Sequence, residues 1–140
     1  VGEPKSLNKI ILEDFIKKDQ IPVISPLGKD EENFTYNINA DTVAGFVAGE
    51  LKASKLLLLT DVPGIFNEEK KLISSLTLKE AIEISGMDYI SGGMKPKIQT
   101  CIDAMEKGVS KSTILDGRIP HSVILELFTE HGIGTQISNN

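Results

Sequence analysis

The sequence predicts an α/β protein: a three-layer αβα sandwich around a largely parallel central sheet. Three observations carry that prediction. Apolar residues recur at helical spacing in several stretches, short apolar runs of strand length separate them, and strand and helix alternate as they do when helices cover a parallel sheet. With 140 residues, 40% of them hydrophobic and 25% charged, the chain is one ordinary globular domain in size and composition. A folded monomer of that mass exposes roughly 7,000 Å² against about 22,000 Å² unfolded, so a real core is within reach.

The elements follow in order. Leu7, Ile10, Ile11, Leu12 and Phe15 are spaced for a helix. Pro22 forbids helix in the next apolar run, so Ile21 to Ser25 reads as a strand. A polar turn over Gly28 to Asn33 then leads to the alternating Phe34 to Asn37, and the two runs are expected to form a hairpin. Asn39 or Asp41 can cap a helix with Val43, Phe46, Val47 and Leu51 on one face. Lys55 to Thr60 is short, continuous and apolar, as expected of a strand buried on both faces.

Asp61-Val62-Pro63-Gly64 is a turn, and Lys70 to Ile73 reads as a short edge strand. Thr77 and Glu80 have capping-box spacing and open a helix through Ile84. After the break at Ser91-Gly92-Gly93-Met94, a helix carries Ile98, Cys101, Ile102 and Met105 on one face and ends at Gly108. Ser112 to Leu115 is the next strand. Pro120 suits the first turn of a helix bearing Val123, Ile124, Leu127 and Phe128, and a short strand follows Gly132-Ile133-Gly134-Thr135.

Charge and composition exclude several roles. Twenty Asp and Glu against fifteen Lys and Arg give a net charge of −5, and the basic residues are scattered, so attraction to a nucleic-acid backbone is not expected. Cys101 has no disulfide partner, and one cysteine with two histidines makes no ordinary zinc site; no metal-binding residues are assigned. A reducing, cytoplasmic setting is the expectation. No apolar run nears the roughly 20 residues of a membrane span, and no charged-then-apolar leader begins at Val1. Val1 is not Met, which suits a piece of a longer chain.

Ligands of open α/β sheets sit beyond the carboxyl ends of strands, so segments that follow strands are the candidates for chemistry. Thr60 to Gly64 is either a plain tight turn or one that brings main-chain amides to a ligand. Ser91 to Lys97 sets small residues ahead of a helix start, where free amides and Lys97 suit phosphate, although a flexible loop with a solvated lysine fits equally. Neither G-x-x-x-x-G-K-[ST] nor G-x-G-x-x-G occurs. Asn37 and Asn39 share a face at a strand end and Asp41 follows in the first helical turn; capping explains one of the three, and a functional reading is favoured for the set. His121 reads as a surface or capping residue and Cys101 as inert core.

These segments, together with Val1-Gly2, Ile21 to Gly28, Tyr36 to Asp41, Leu59 to Gly64, Pro96-Lys97 and Ile114 to Arg118 through Gly132 to Thr135, resemble the acetylglutamate kinases of the amino-acid-kinase superfamily. The resemblance runs the length of the chain. It implies transfer of the γ-phosphoryl group of ATP, with Mg²⁺, to the side-chain carboxylate of N-acetyl-L-glutamate in arginine biosynthesis. Lys97 would stabilise the transition state and Asp41 would hold the catalytic lysines. Asn37 would bind acetylglutamate with Asn39 supporting the same region. Thr60, Asp61, Val62, Pro63, Gly64, Ile65 and Phe66, with the stretch from Tyr89 through Ser91, Gly92 and Gly93 to Met94, would line the nucleotide pocket.

Family members also carry an amino-terminal glycine-rich segment with a second catalytic lysine, and residues of this kind do not precede Val1. The resemblance therefore implies a fold incomplete on its amino-terminal side: residues 1–54 ending an amino-acid-substrate domain, residues 55–140 forming a nucleotide-binding domain, and little turnover by the piece alone. Glu126 and Gly132 match positions that contact the effector in arginine-inhibited members, while Thr113 stands where a histidine is common. The resemblance further implies a homo-oligomer, a dimer or hexamer of dimers, and in photosynthetic members a PII-type partner and a plastid stroma location. The alternatives are a sister kinase acting on another N-blocked amino acid and a non-catalytic nucleotide- or arginine-binding module. Retention of both Asp41 and Lys97 speaks against the module.

Overall fold

A computed structural model describes residues 2–90, 92–130 and 132–139. Val1 and Ser91, both part of the motifs above, lie outside them. Helix α1 spans Lys9–Lys17. The hairpin that follows pairs β1, Leu27–Lys29, with β2, Thr35–Asn37, antiparallel, so that Leu27 faces Asn37. This corrects the strand expected at Ile21 to Ser25, which is irregular and leaves Val23 96% exposed. The cause is Asp30. Its carboxylate accepts from the Glu32 and Phe34 amides at 3.0 and 2.9 Å and from the Tyr36 hydroxyl at 3.0 Å, which sets a turn over 30–33 and draws its flanks into pairing.

Helix α2, Ala40–Glu50, is capped by Asn39, whose side chain accepts from the Thr42 amide at 3.1 Å. Its buried face is not the expected Val43, Phe46, Val47 and Leu51, which are all part-exposed, but the small residues Gly45, Ala48 and Gly49. A Cβ at Gly45 would lie 2.5 Å from the Thr100 methyl, and one at Gly49 would lie 2.9 Å from Lys107 Cβ. Only glycine permits so close an approach of α2 to the helix across from it.

The main sheet has the order β3, β5, β6, β4. Strand β3, Lys55–Thr60, and the central β5, Lys111–Asp116, run parallel with Thr60 beside Asp116. Strand β4, Ser75–Thr77, is parallel to β6, Thr135–Ser138, and β6 joins β5 antiparallel. The edge strand expected at Lys70 to Ile73 is only a single bridge between Phe66 and Leu72; the strand is β4, three residues long and mostly hydroxylic. Strand β3 buries Leu56 and Leu58 but leaves Leu59 47% exposed, so it is covered on one face and only partly on the other.

Thr77 caps α3, Leu78–Ser85, with the reciprocal Thr77 and Glu80 bonds of a capping box. Helix α4, Met94–Glu106, buries Ile98, Cys101, Ile102 and Met105 as its spacing predicts, and Gly108 follows its end in a left-handed conformation, φ +107°. Helices α2, α3 and α4 pack together over one sheet face. Burial among them pushes the Cys101 thiol up to about 12.

The opposite face is met by α5, Ser122–Phe128, since Thr113, which alternation turns away from the α4 side, donates to Glu126 at 3.1 Å. Helix α5 is inverted from expectation. Ser122 and Glu126 are buried, whereas Val123, Ile124, Leu127 and Phe128 are exposed, Phe128 by 81%. It also begins after Pro120, because His121 takes the left-handed conformation, φ +61°, and starts the helix there. Total accessible surface is 9218 Å², well above the roughly 7,100 Å² of a compact monomer of this mass. Among the described residues, no helix is long and apolar enough to cross a membrane.

Candidate functional site

The carboxyl ends of β3 and β5 lie side by side, and the Gly117 amide ties them by donating to the Thr60 carbonyl at 2.8 Å. Beyond that end the chain opens a cavity of about 310 Å³. It is lined by Thr60, Asp61, Val62, Gly64 and Phe66 from the end of β3 and the loop after it, and by Tyr89, Ile90, Gly93, Met94 and Lys97 from the start of α4 and the residues before it. Cβ atoms at Gly92 and Gly93 would meet nothing within 4 Å, so these glycines leave open space at the start of α4 rather than permit tight packing. Among the described residues no side chain caps that helix start, and the positive end of the helix lies beside the open space those glycines leave.

Lys97 is held by Asp41. Its ammonium donates to Asp41 Oδ2 at 2.6 Å, and the two side chains are only 18% and 26% exposed. The pair is 56 residues apart in sequence and meets because Gly45 and Gly49 let α2 lie close against α4. Partial desolvation strengthens such a charge-assisted bond. Two ammonium protons remain for another acceptor.

The structure separates the other expected residues. Pro63 and Gly92 stand beside the cavity without lining it, and Ser91 lies outside the described residues. Ile65 does not face the cavity; it is fully buried in the core, because alternation sends it inward between Gly64 and Phe66. Asn37 sits exposed at the end of β2, and Asn39 commits its side-chain oxygen to capping. Glu126 and Gly132 meet at a second, polar cavity of about 380 Å³, with Lys55, Lys111 and Glu130. Glu126 is buried and accepts from Thr113 Oγ1 and, at 2.9 Å, from the Ile133 amide. Gly132 takes the left-handed conformation that favours glycine, φ +59°, with Glu126 Oε2 2.5 Å from where a Cβ would stand.

Ile90, within the stretch from Tyr89 to Met94 that the resemblance assigns to the nucleotide pocket, lines the cavity. One feature escaped sequence reasoning. Arg118 chelates Asp116 through its backbone amide, Nε and Nη2 at 2.9, 3.0 and 2.8 Å, which holds that carboxyl at about 2; Asp61 adds a further attraction to the guanidinium. Asp-Gly-Arg spacing after a strand was the available signal. For a divalent cation the protein offers little: no group of three candidate ligand side chains occurs among the described residues, and Asp41 is committed to Lys97. Asp61 is the carboxylate on the cavity wall. Such a donor set fits Mg²⁺ carried on the phosphates of a nucleotide.

Residues 1–116 match the family model described as the amino acid kinase family. An acetylglutamate kinase of Mesorhizobium japonicum is 51% identical over 137 residues, which cover 98% of this chain and 46% of that protein. The acetylglutamate kinase of a Bradyrhizobium species is 52% identical over the same shares. The chain thus spans about half the length of the curated relatives it matches. Among solved structures, N-acetylglutamate synthase from Neisseria gonorrhoeae complexed with coenzyme A and L-arginine superposes with a TM-score of 0.91 at 29% identity, over 97% of this chain and 32% of that one. Giardia lamblia carbamate kinase bound to AMP-PNP shares the fold, with a TM-score of 0.70 at 18% identity, over 97% of this chain and 46% of its own. With the family model matched over most of its length, and with strands, helices and cavity arranged as described, this chain belongs to the amino acid kinase family.

Proposed function

We propose that the chain is the nucleotide-binding part of an acetylglutamate kinase, which passes the γ-phosphoryl group of ATP to the side-chain carboxylate of N-acetyl-L-glutamate. The observation that carries this reading is Lys97, held by Asp41, on the wall of a cavity that Gly93 and Met94 also line at the start of α4. Phosphoryl transfer asks a protein chiefly for position and positive charge. The amino-terminal end of α4 and Lys97 supply positive charge where phosphate oxygens would lie, and Asp41 keeps the ammonium aimed while occupying one of its three protons. Phe66, Tyr89, Val62 and Met94 offer the apolar and aromatic surface that a nucleobase needs. Mg²⁺, bound with the nucleotide, would screen the phosphate charge. Asn37, at the end of β2, is the residue for acetylglutamate, in a substrate region that takes in residues 1–54.

Calorimetric titration of the purified chain with ATP tests the reading. Saturable binding is expected, weakened about ten-fold or more in Lys97→Ala, the usual cost of losing a charged hydrogen bond. A chain that takes up no ATP would overturn it. Turnover is expected only when the remaining half of a relative is supplied in trans.

A second reading concerns Glu126. Its buried carboxylate borders a polar cavity lined also by Gly132, Glu130, Lys55 and Lys111, in which the two glutamates suit a guanidinium. The related synthase was solved with L-arginine. Arginine is expected to raise the melting temperature of the chain, and Glu126→Gln is expected to abolish that rise.

A further inference from the structure

The loop between β3 and β4 forms one wall of the cavity, yet it contains no regular strand. Its main chain closes on itself through the Phe66 and Leu72 bridge and through the Ile73 amide, which donates to the Ile65 carbonyl at 2.8 Å. It is anchored to the sheet by a residue 70 positions away. The Ile65 amide donates to Thr135 Oγ1 at 2.8 Å, and the same hydroxyl donates to the Ile73 carbonyl at 2.6 Å. Thr135 is fully buried at the start of β6, where its register against Ile114 fixes it to the central strand. One hydroxyl therefore grips both arms of the loop, with its donor and its acceptor both used.

Gly64 records how closely that grip is drawn. A Cβ there would lie 2.5 Å from Thr135 Oγ1 and 3.0 Å from the Thr135 amide nitrogen. The side chains on either side of the gripped residue are the ones that matter for the cavity. Alternation seats Ile65 in the core and turns Gly64 and Phe66 to the cavity wall, so the bond that seats Ile65 also sets where Phe66 stands.

We infer that Thr135 is a positioning residue for the nucleotide site: its hydroxyl clamps the loop at Ile65 and Ile73 and thereby holds Gly64 and Phe66 in place to form the cavity wall. The inference rests on the nucleotide reading of that cavity. Replacing the hydroxyl by a methyl group leaves the Ile65 amide buried without an acceptor, and the loop can recover an acceptor only by moving outward into water. Serine keeps the hydroxyl and gives up only the methyl.

The test compares wild type, Thr135→Val and Thr135→Ser by ATP titration and by hydrogen exchange at single amides. Thr135→Val is expected to bind ATP about ten-fold more weakly, and Thr135→Ser within about two-fold of wild type. The Ile65 amide is expected to exchange fast in Thr135→Val and slowly in the other two, while the Leu58 and Ile114 amides stay protected in all three. ATP is also expected to slow Ile65 exchange in the wild type, a readout that stands even where Thr135→Val does not fold. Wild-type affinity in Thr135→Val, weak binding by Thr135→Ser, or Ile65 exchange indifferent to bound ATP would each overturn the clamp. A wild-type chain that binds no ATP overturns the reading of the cavity, and the positioning role falls with it.

Discussion

Asp41 and Lys97 show what one residue can and cannot do alone. Asp41→Asn keeps the shape of the pair but removes its charge, so the ammonium loses its guide; ATP affinity measured by titration is expected to fall less than in Lys97→Ala, because the positive charge itself remains. Asp116 makes a different prediction. Its folded pKa, about 2, lies below its ordinary 3.8, so the Arg118 chelate contributes stability that is present above pH 3.8 and lost as the pH falls toward 2. Urea midpoints followed from pH 5 to pH 2 are expected to drop more steeply for wild type than for Asp116→Asn. Cys101, with its thiol pushed up to about 12 and its side chain fully buried, is expected to resist a disulfide reagent until the chain unfolds. At this scale the spacing singled out Lys97 and Asp41, which stand in the first turns of two helices and meet in the structure, while Asn37 and Asn39 do not line the cavity. The place of Ile65 in the core was not legible, because a turn motif does not say which of its side chains points inward.

Elements were legible where a local signal and the packing agreed. The Thr77 and Glu80 capping box named the start of α3, and Thr77→Ala is expected to cost about 1 kcal/mol in chemical denaturation. Helix α4 was read correctly because its apolar stripe is also its buried face. Strands β1 and β4, three residues each, carry too little pattern to outweigh the apolar Ile21 to Ile24 or Lys70 to Ile73 nearby. Helices α2 and α5 mislead for a shared reason: periodicity locates a stripe but not its neighbour. In α2 the buried stripe is the small one, and Gly45→Leu is expected to destabilise by about 2–3 kcal/mol and to loosen ATP binding as Asp41 shifts away from Lys97.

For the whole molecule, the alternation of strands and helices announced the layered sheet, while the antiparallel entry of β6 gave no sign, because a short strand after a glycine-rich turn fits either direction. The fold is also more open than its composition suggests. Helix α1 buries no residue, and Ile10, Ile11, Ile16, Ile21 and Leu27 add to the exposed apolar surface. The isolated chain is therefore expected to bind a hydrophobic dye and to sediment as a mixture at tens of micromolar, and both signals are expected to fall when the complementary half of a relative is added.

The glycine seam between α2 and α4 has a consequence for cutting and rejoining the polypeptide. Asp41 and Lys97 contact each other across a seam whose two sides belong to separate helices, so a peptide bond broken between residues 67 and 70 leaves one partner of the ion pair on each product. The shape complementarity that seats Gly45 on Thr100 does not depend on the covalent link. Two such products are expected to reassociate through that seam, and co-elution of a nicked chain in native gel filtration checks it.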